Sequence, residues 1–376
     1  MLEAGSRWGM VGAGAALIGC CYGFARFAYG LFAPQMQDEF AMTSTLSGVV
    51  SGGSYVGYCV AIVGSMLLTE RLGARIVAVT AGAVSTVGTL AVAVAPSAFV
   101  LAVGVLVAGS STGLASPPLA AAIARWVRRE GRDRAQTVAN AGTGLGVVVS
   151  GPIALVVTDE WRWAWATFAV ISAAVTLWVA RVVPGGHESG RALGAREGRW
   201  VVGAGRLVVG ALLMGASSMA VWTFGQDVVA AGDAGGPQLP GVTWMLLGAA
   251  GVAGAFSGDL VARLGLVRSW TMSLLVMAGA TLLLATLADR TVAVLLAATL
   301  FGAAYITLTG ILLVWGTRLF PDNPSYGVML AFLVIAVGQA ASAPALGVVA
   351  DAATLTTAFV ACAIVGTAAA VVQPRR

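Results

Sequence analysis

The sequence predicts an all-α membrane protein: twelve transmembrane helices in two six-helix bundles, related by a pseudo-two-fold axis along the membrane normal. Three observations carry that reading. The 376 residues are 59% hydrophobic and only 10% charged, with a mean hydropathy of +0.90. An ordinary soluble domain carries about 25% charged residues, so this chain cannot cover its surface with charge. Apolar runs of about 18 residues or more recur along the whole length, each long enough to cross a bilayer. Finally, the chain repeats itself at one fixed offset of 192 residues, close to half its length.

The runs, read against Gly, Pro and charge interruptions, fall at 9–34, 44–69, 75–96, 98–125, 134–158, 163–183, 204–228, 241–262, 269–288, 291–316, 325–349 and 352–372. Twelve crossings of roughly 20 residues consume roughly 240, leaving only short loops. Leu17-Ile18-Gly19-Cys20 has the look of a lipoprotein cleavage box, but the apolar run continues past the cysteine, as an uncleaved first helix requires.

The basic residues test the count independently. All 21 are Arg, against 16 acids, for a net charge of +5. With both termini cytoplasmic, 18 of the 21 fall inside, only Arg162 and Arg290 fall outside, and Arg26 lies within the first span. That is the positive-inside bias, and it accounts for the charge without a nucleic-acid partner. Cys20, Cys21, Cys59 and Cys362 all sit in apolar runs with no ligand spacing, and His187 is the one histidine, so neither metal nor cofactor is expected.

The repeat is specific. Gly146-x-x-x-Ser150-Gly151-Pro152-x-x-x-Val156-Val157-x-Asp159 returns as Gly338-x-x-x-Ser342-Ala343-Pro344-x-x-x-Val348-Val349-x-Asp351. Leu68-x-x-Arg71-Leu72-Gly73 returns as Leu260-x-x-Arg263-Leu264-Gly265 with the same offset. Six spans per copy is an even number, so both copies enter the membrane in the same orientation and can face each other across a cavity. The expected domains are a bundle at 1–183, a solvated cytoplasmic linker at 184–203, and a second bundle at 204–376.

Six plus six helices with these repeats resemble the major facilitator superfamily of secondary transporters. Met66-Leu67-Leu68-Thr69-Glu70-Arg71-Leu72-Gly73-Ala74-Arg75 is similar to the family's loop motif after its second helix, with the opening Gly lost and Asp replaced by Glu; Gly258-Asp259-Leu260-Val261-Ala262-Arg263-Leu264-Gly265 is its second copy. Trp161-Arg162-Trp163 before the sixth span fits as well, and Gly23-Phe24-Ala25-Arg26-Phe27-Ala28-Tyr29 resembles the YbfB/YjiJ-type branch. The resemblance implies a gating role for Glu70, Arg71, Gly73, Arg75, Asp259 and Arg263, beside their part as topology signals. Gly151 and Pro152, with Gly146, resemble a fifth-helix motif of proton-coupled exporters; close helix packing is the alternative reading. The fourth-helix Arg of many proton antiporters is missing from Gly109-Ser110-Ser111-Thr112-Gly113, and the second copy also carries a Pro, so the motif is no clean sign of export.

Arg26 is the charge at membrane depth. An Arg there costs roughly 2.5–3.5 kcal/mol on insertion scales and should face a cavity or a partner. Tyr22, Arg26 and Tyr29 stand at i, i+4 and i+7, on one face of an α-helix. No Asp or Glu is placed at mid-depth: Asp227 lies near the outer end of the seventh span, and Glu70 and Asp259 at cytoplasmic ends. A guanidinium fork suits a carboxylate or phosphate. Binding of Arg26 to helix carbonyls, Tyr hydroxyls or water is the structural alternative. Tyr55, Tyr58, Asn140, Trp222, Gln226, Tyr305 and Gln339 are further cavity candidates, each equally compatible with interhelix bonding.

The expected function is alternating-access transport of a small organic anion, with Arg26 attracting it and Tyr22 and Tyr29 orienting it. A proton-driven exporter of drugs or metabolites is the rival, and a non-transporting receptor or assembly subunit a different class. Enzyme chemistry is not expected, since no nucleophile–base pair or ligand constellation is recognisable. The expected partners are the anionic solute, protons as a coupling ion and the lipid bilayer, with the chain a monomer. Arg-only basic usage with abundant Ala and Gly suggests a GC-rich bacterial gene, hence a bacterial plasma membrane.

Overall fold

The computed structural model describes residues 4–128, 131–157, 160–185, 201–232, 235–236, 238–321 and 324–374. Most of the expected linker, with His187, lies outside them. Every regular element among the described residues is a helix. The first span is α1 (Ala4–Ile18), a nine-residue π-helix (Gly19–Phe27) and α2 (Ala28–Phe40). There follow α3 (Ser44–Leu72), α4 (Ala74–Ala93), α5 (Ala98–Trp126), α6 (Arg132–Val157), α7 (Trp161–Val182) and α8 (Ala204–Ala231). Then come α9 (Leu239–Ala250), a 3-10 turn (Gly251–Phe256), α10 (Ser257–Leu264), α11 (Leu266–Thr286), α12 (Thr291–Leu319), α13 (Pro324–Ala352) and α14 (Leu355–Ala369).

Ten of these segments are long and apolar enough to cross a bilayer, and α9 with α10 forms an eleventh that bends by 53°. The expected span 241–262 is therefore broken rather than straight. Its Gly251 and Gly254 face Ile306 of α12 so closely that a Cβ on Gly254 would overlap that side chain. At 15 residues α14 is a shorter apolar twelfth. Val60, Phe99, Val156, Val170 and Val292 are exposed, as lipid-facing side chains should be.

By spatial contact the chain forms two compact units, Met1–Tyr29 with Gly53–Gly194, and Gly30–Gly52 with Ala195–Arg376. The core of the first packs Met10, Leu17 and Cys21 against Ala78, Ala81, Leu119, Ile123, Ala139 and Val179. Lipid removes the hydrophobic drive between helices, so close packing through small residues must hold them together. Gly146 of α6 sits against the Gly19 carbonyl, and Gly23 against Gly146 itself. The second unit repeats this contact: Gly338 of α13 sits against the Leu212 carbonyl of α8, and Gly215 of α8 against Ile335. The duplicated glycines thus do the same packing work in each copy.

The shorter repeat shares a backbone conformation too. Gly73 (φ 84°, ψ 158°) and Gly265 (φ 81°, ψ 159°) each join one helix directly to the next in a region that L side chains avoid. That requirement fixes the Gly of the loop motif in both copies.

Candidate functional site

Arg26 lies in the π-helix. Its wide i→i−5 bonding is visible where the Ala28 N–H donates to the Gly23 carbonyl. Gly23 lets this thickened segment approach α6 where any side chain would be blocked, and a Cβ on Gly19 would sit only 3.1 Å from the Gly142 carbonyl oxygen. The α-helical spacing that placed Tyr22, Arg26 and Tyr29 on one face consequently does not apply through residue 27; Tyr29 belongs to α2 and is itself buried.

Aromatic rings surround the Arg26 guanidinium. Its carbon lies 4.2 Å from the Tyr55 ring centroid, 4.6 Å from Tyr58, 5.4 Å from Phe27 and 5.7 Å from Tyr22. Arg26 is 7% exposed, and Tyr55 and Tyr58 are buried on α3, one helical turn apart. Tyr22 is held in turn by a 3.0 Å bond between its hydroxyl and Ser116 of α5. A cation facing rings at these distances gains about 0.5–2 kcal/mol, more when desolvated. The structure therefore joins four of the expected residues, Arg26, Tyr22, Tyr55 and Tyr58, and adds Phe27, which no sequence periodicity singled out.

The second unit gathers a different set. The Trp222 ring meets Tyr305, Trp244 and Phe301 edge-on, with centroids 5.2, 5.7 and 5.9 Å away. Gln339 is fully buried and donates to the Tyr305 hydroxyl at 3.1 Å and to Ser218 at 3.3 Å. Gln226, on the same helix as Trp222, lines a cleft with Thr243 and Phe301. That cleft holds only about 10 Å³, against roughly 300–1,000 Å³ for a small-molecule site, so it is closed in this conformation. Trp222, Tyr305 and Gln339 thus come together as expected, with Gln226 beside them. Trp244 and Phe301 were missed, since in the sequence they are two more aromatics in apolar runs.

Asn140 stands apart: it is exposed on α6 and accepts a bond from Gln136 at 3.4 Å. Arg71, Arg75, Asp259 and Arg263 are exposed at helix ends, and Glu70, next to Arg71 in the chain, is half-buried. Gly151 is buried, while Pro152 is exposed inside an uninterrupted α6. Asp227 lines an open pocket of about 540 Å³ with Gln37 and Asp38, and its Oδ1 accepts from Gln37 Nε2 at 2.7 Å.

Comparison with known proteins follows the same lines. The sequence model of the Major Facilitator Superfamily matches residues 15–343. A crystal structure of the nucleoside transporter NupG superimposes with a TM-score of 0.75 at 12% identity, covering 97% of each chain. A single-site mutant of NupG gives 0.78 at 11% identity, covering 97% of this chain and 98% of that one. No curated protein matches the sequence. At such identities the superpositions speak for the fold alone.

Proposed function

The chain belongs to the Major Facilitator Superfamily of membrane transporters, and on that premise we propose that its cargo is a small organic anion, most simply a carboxylate, carried by alternating access. One observation carries the reading: the Arg26 guanidinium is buried and ringed by Tyr22, Phe27, Tyr55 and Tyr58. Rings at these distances hold the cation by its charge, and a guanidinium fork is the group that suits a carboxylate. Tyr22 would orient the rest of the solute.

A second reading has its own support. Trp222 and Tyr305 offer ring faces while Gln339 and Gln226 offer amides, a combination that suits an uncharged planar solute such as a nucleoside, the cargo named for the two similar structures. Uptake into proteoliposomes separates the two. Labelled mono- and dicarboxylates enter on the first reading and are lost in Arg26→Ala; labelled nucleosides enter on the second, and Arg26→Ala spares them.

The distribution of Arg supports cytoplasmic termini and a bacterial plasma membrane. In that orientation Glu70, Arg71, Gly73 and Arg75, with Asp259 and Arg263, form the cytoplasmic gate loops, and Asp227 is the acid available for proton coupling. Packing by Gly151 beside Pro152 serves the fifth span in either reading.

A further inference from the structure

We propose that Asp351 is a positioning residue of the transport cycle: it latches the helical hairpin 30–52 onto helices of the second repeat, and release of this latch opens the outer side. The word outer rests on the orientation proposed above. The hairpin comprises nearly all of α2, the turn at Ala41 and the start of α3. It belongs to the first copy of the repeat, but it docks on α8 and α13 of the second.

The contact is specific and reversible in kind. Asp351 Oδ1 accepts the Ser44 N–H at 2.9 Å and Oδ2 accepts the Thr45 N–H at 2.8 Å, so one carboxylate caps the first two amides of α3 from more than 300 residues away. Those amides have no partner within their own helix, and the positive end of the helix dipole adds to the attraction. Two further polar ties lie along the hairpin, Gln37 Nε2 to Asp227 at 2.7 Å and Ser51 Oγ to Thr223 Oγ1 at 2.8 Å. Between them the backbones touch: a Cβ on Gly48 would strike the Ala343 carbonyl, one on Gly347 the Ser44 carbonyl, and one on Gly30 the Trp222 carbonyl. Polar ties and bare backbone, with Asp351 itself exposed to water, make a seam that can part without unthreading large side chains.

The sequence makes the latch one-sided. At the 192-residue offset Asp159 corresponds to Asp351, and Gly236 and Pro237 to Ser44 and Thr45. Proline has no N–H, so the sequence supplies at most one of the two donors at the corresponding positions.

The test reads accessibility and needs no known substrate. In a background with all four cysteines replaced by Ala, Ser51→Cys is buried in the seam and reacts slowly with a membrane-impermeant maleimide added to intact cells. Asp351→Asn should raise that rate roughly tenfold to a hundredfold, as the loss of charge-assisted bonds implies, and Asp159→Asn should raise it less. Equal rates with and without Asp351→Asn overturn the latch. Ser85→Cys, in the core of the first unit and fully buried, must stay unreactive, which separates opening from unfolding. Should Asp351→Asn not fold, Ser44→Pro removes one donor at a position where helices accept proline; a several-fold rise supports the latch and no rise refutes it. Glu39→Cys, exposed on the hairpin, reports orientation. If it reacts only in inside-out vesicles, the orientation is wrong, and the Ser51→Cys comparison is then made in those vesicles.

Discussion

Replacing Gly146 by Ala adds one methyl group, and the structure says where it goes. The new Cβ falls on the Gly19 carbonyl oxygen, with the carbonyl carbon 2.8 Å and the Cα 2.9 Å away. Both sides of this contact are backbone, so no rotamer change relieves it and α6 must move away from the π-helix. Overpacking of this kind costs about 1–3 kcal/mol. For a chain of 376 residues, at about 2.1 cal/mol/K of unfolding entropy per residue, that lowers the apparent melting temperature by roughly 1–4 °C. The control is Gly64→Ala, where a Cβ meets nothing within 4 Å. Gly338→Ala should resemble Gly146→Ala, because its Cβ falls on the Leu212 carbonyl in the repeated contact. The assay is thermal unfolding of the detergent-purified proteins followed by fluorescence. Equal melting of Gly146→Ala and Gly64→Ala would refute the claim that the duplicated glycines serve helix contact.

Three other outcomes are expected. Tyr58→Phe keeps the ring that faces Arg26 at 4.6 Å and should melt closer to the parent protein than Tyr58→Leu, which loses about 2 kcal/mol of desolvated cation–π contact. Gln339→Leu removes the buried amide that donates to the Tyr305 hydroxyl and to Ser218; a loss of about 1–3 kcal/mol should appear as earlier thermal unfolding. Gly265→Ala meets nothing within 4 Å, yet its φ of +81° should cost about 1–2 kcal/mol by backbone conformation alone, measured in the same way.

The spans were legible in the sequence because hydropathy and Arg placement are independent signals of the same bilayer. The first copy at Gly146 and the second at Gly338 were legible as a repeat, with close helix packing one reading of the motif, but the Gly19 and Leu212 carbonyls they meet were not. The π-helix was hidden: Gly19–Phe27 has no residue that marks a switch from i→i−4 to i→i−5 bonding, so the face shared by Tyr22, Arg26 and Tyr29 was reckoned with the wrong pitch. Tyr55 and Tyr58 were legible as cavity candidates in the second span, but their meeting with Arg26 depends on how α3 packs on the first span. Asp351 stood in the repeat with no chemistry attached, since its partners are backbone amides that no sequence pattern displays. The break between α9 and α10 was likewise unreadable, because Gly251 and Gly254 look like the many other glycines that continue through helices.

Uptake of labelled carboxylates into proteoliposomes by the parent protein, Arg26→Lys and Arg26→Ala tests the central claim most directly. A caged guanidinium fork that binds the solute predicts uptake by the parent, a large loss in Arg26→Lys, where the charge survives and the planar fork does not, and none above background in Arg26→Ala. Undiminished carboxylate uptake by folded Arg26→Ala would contradict it.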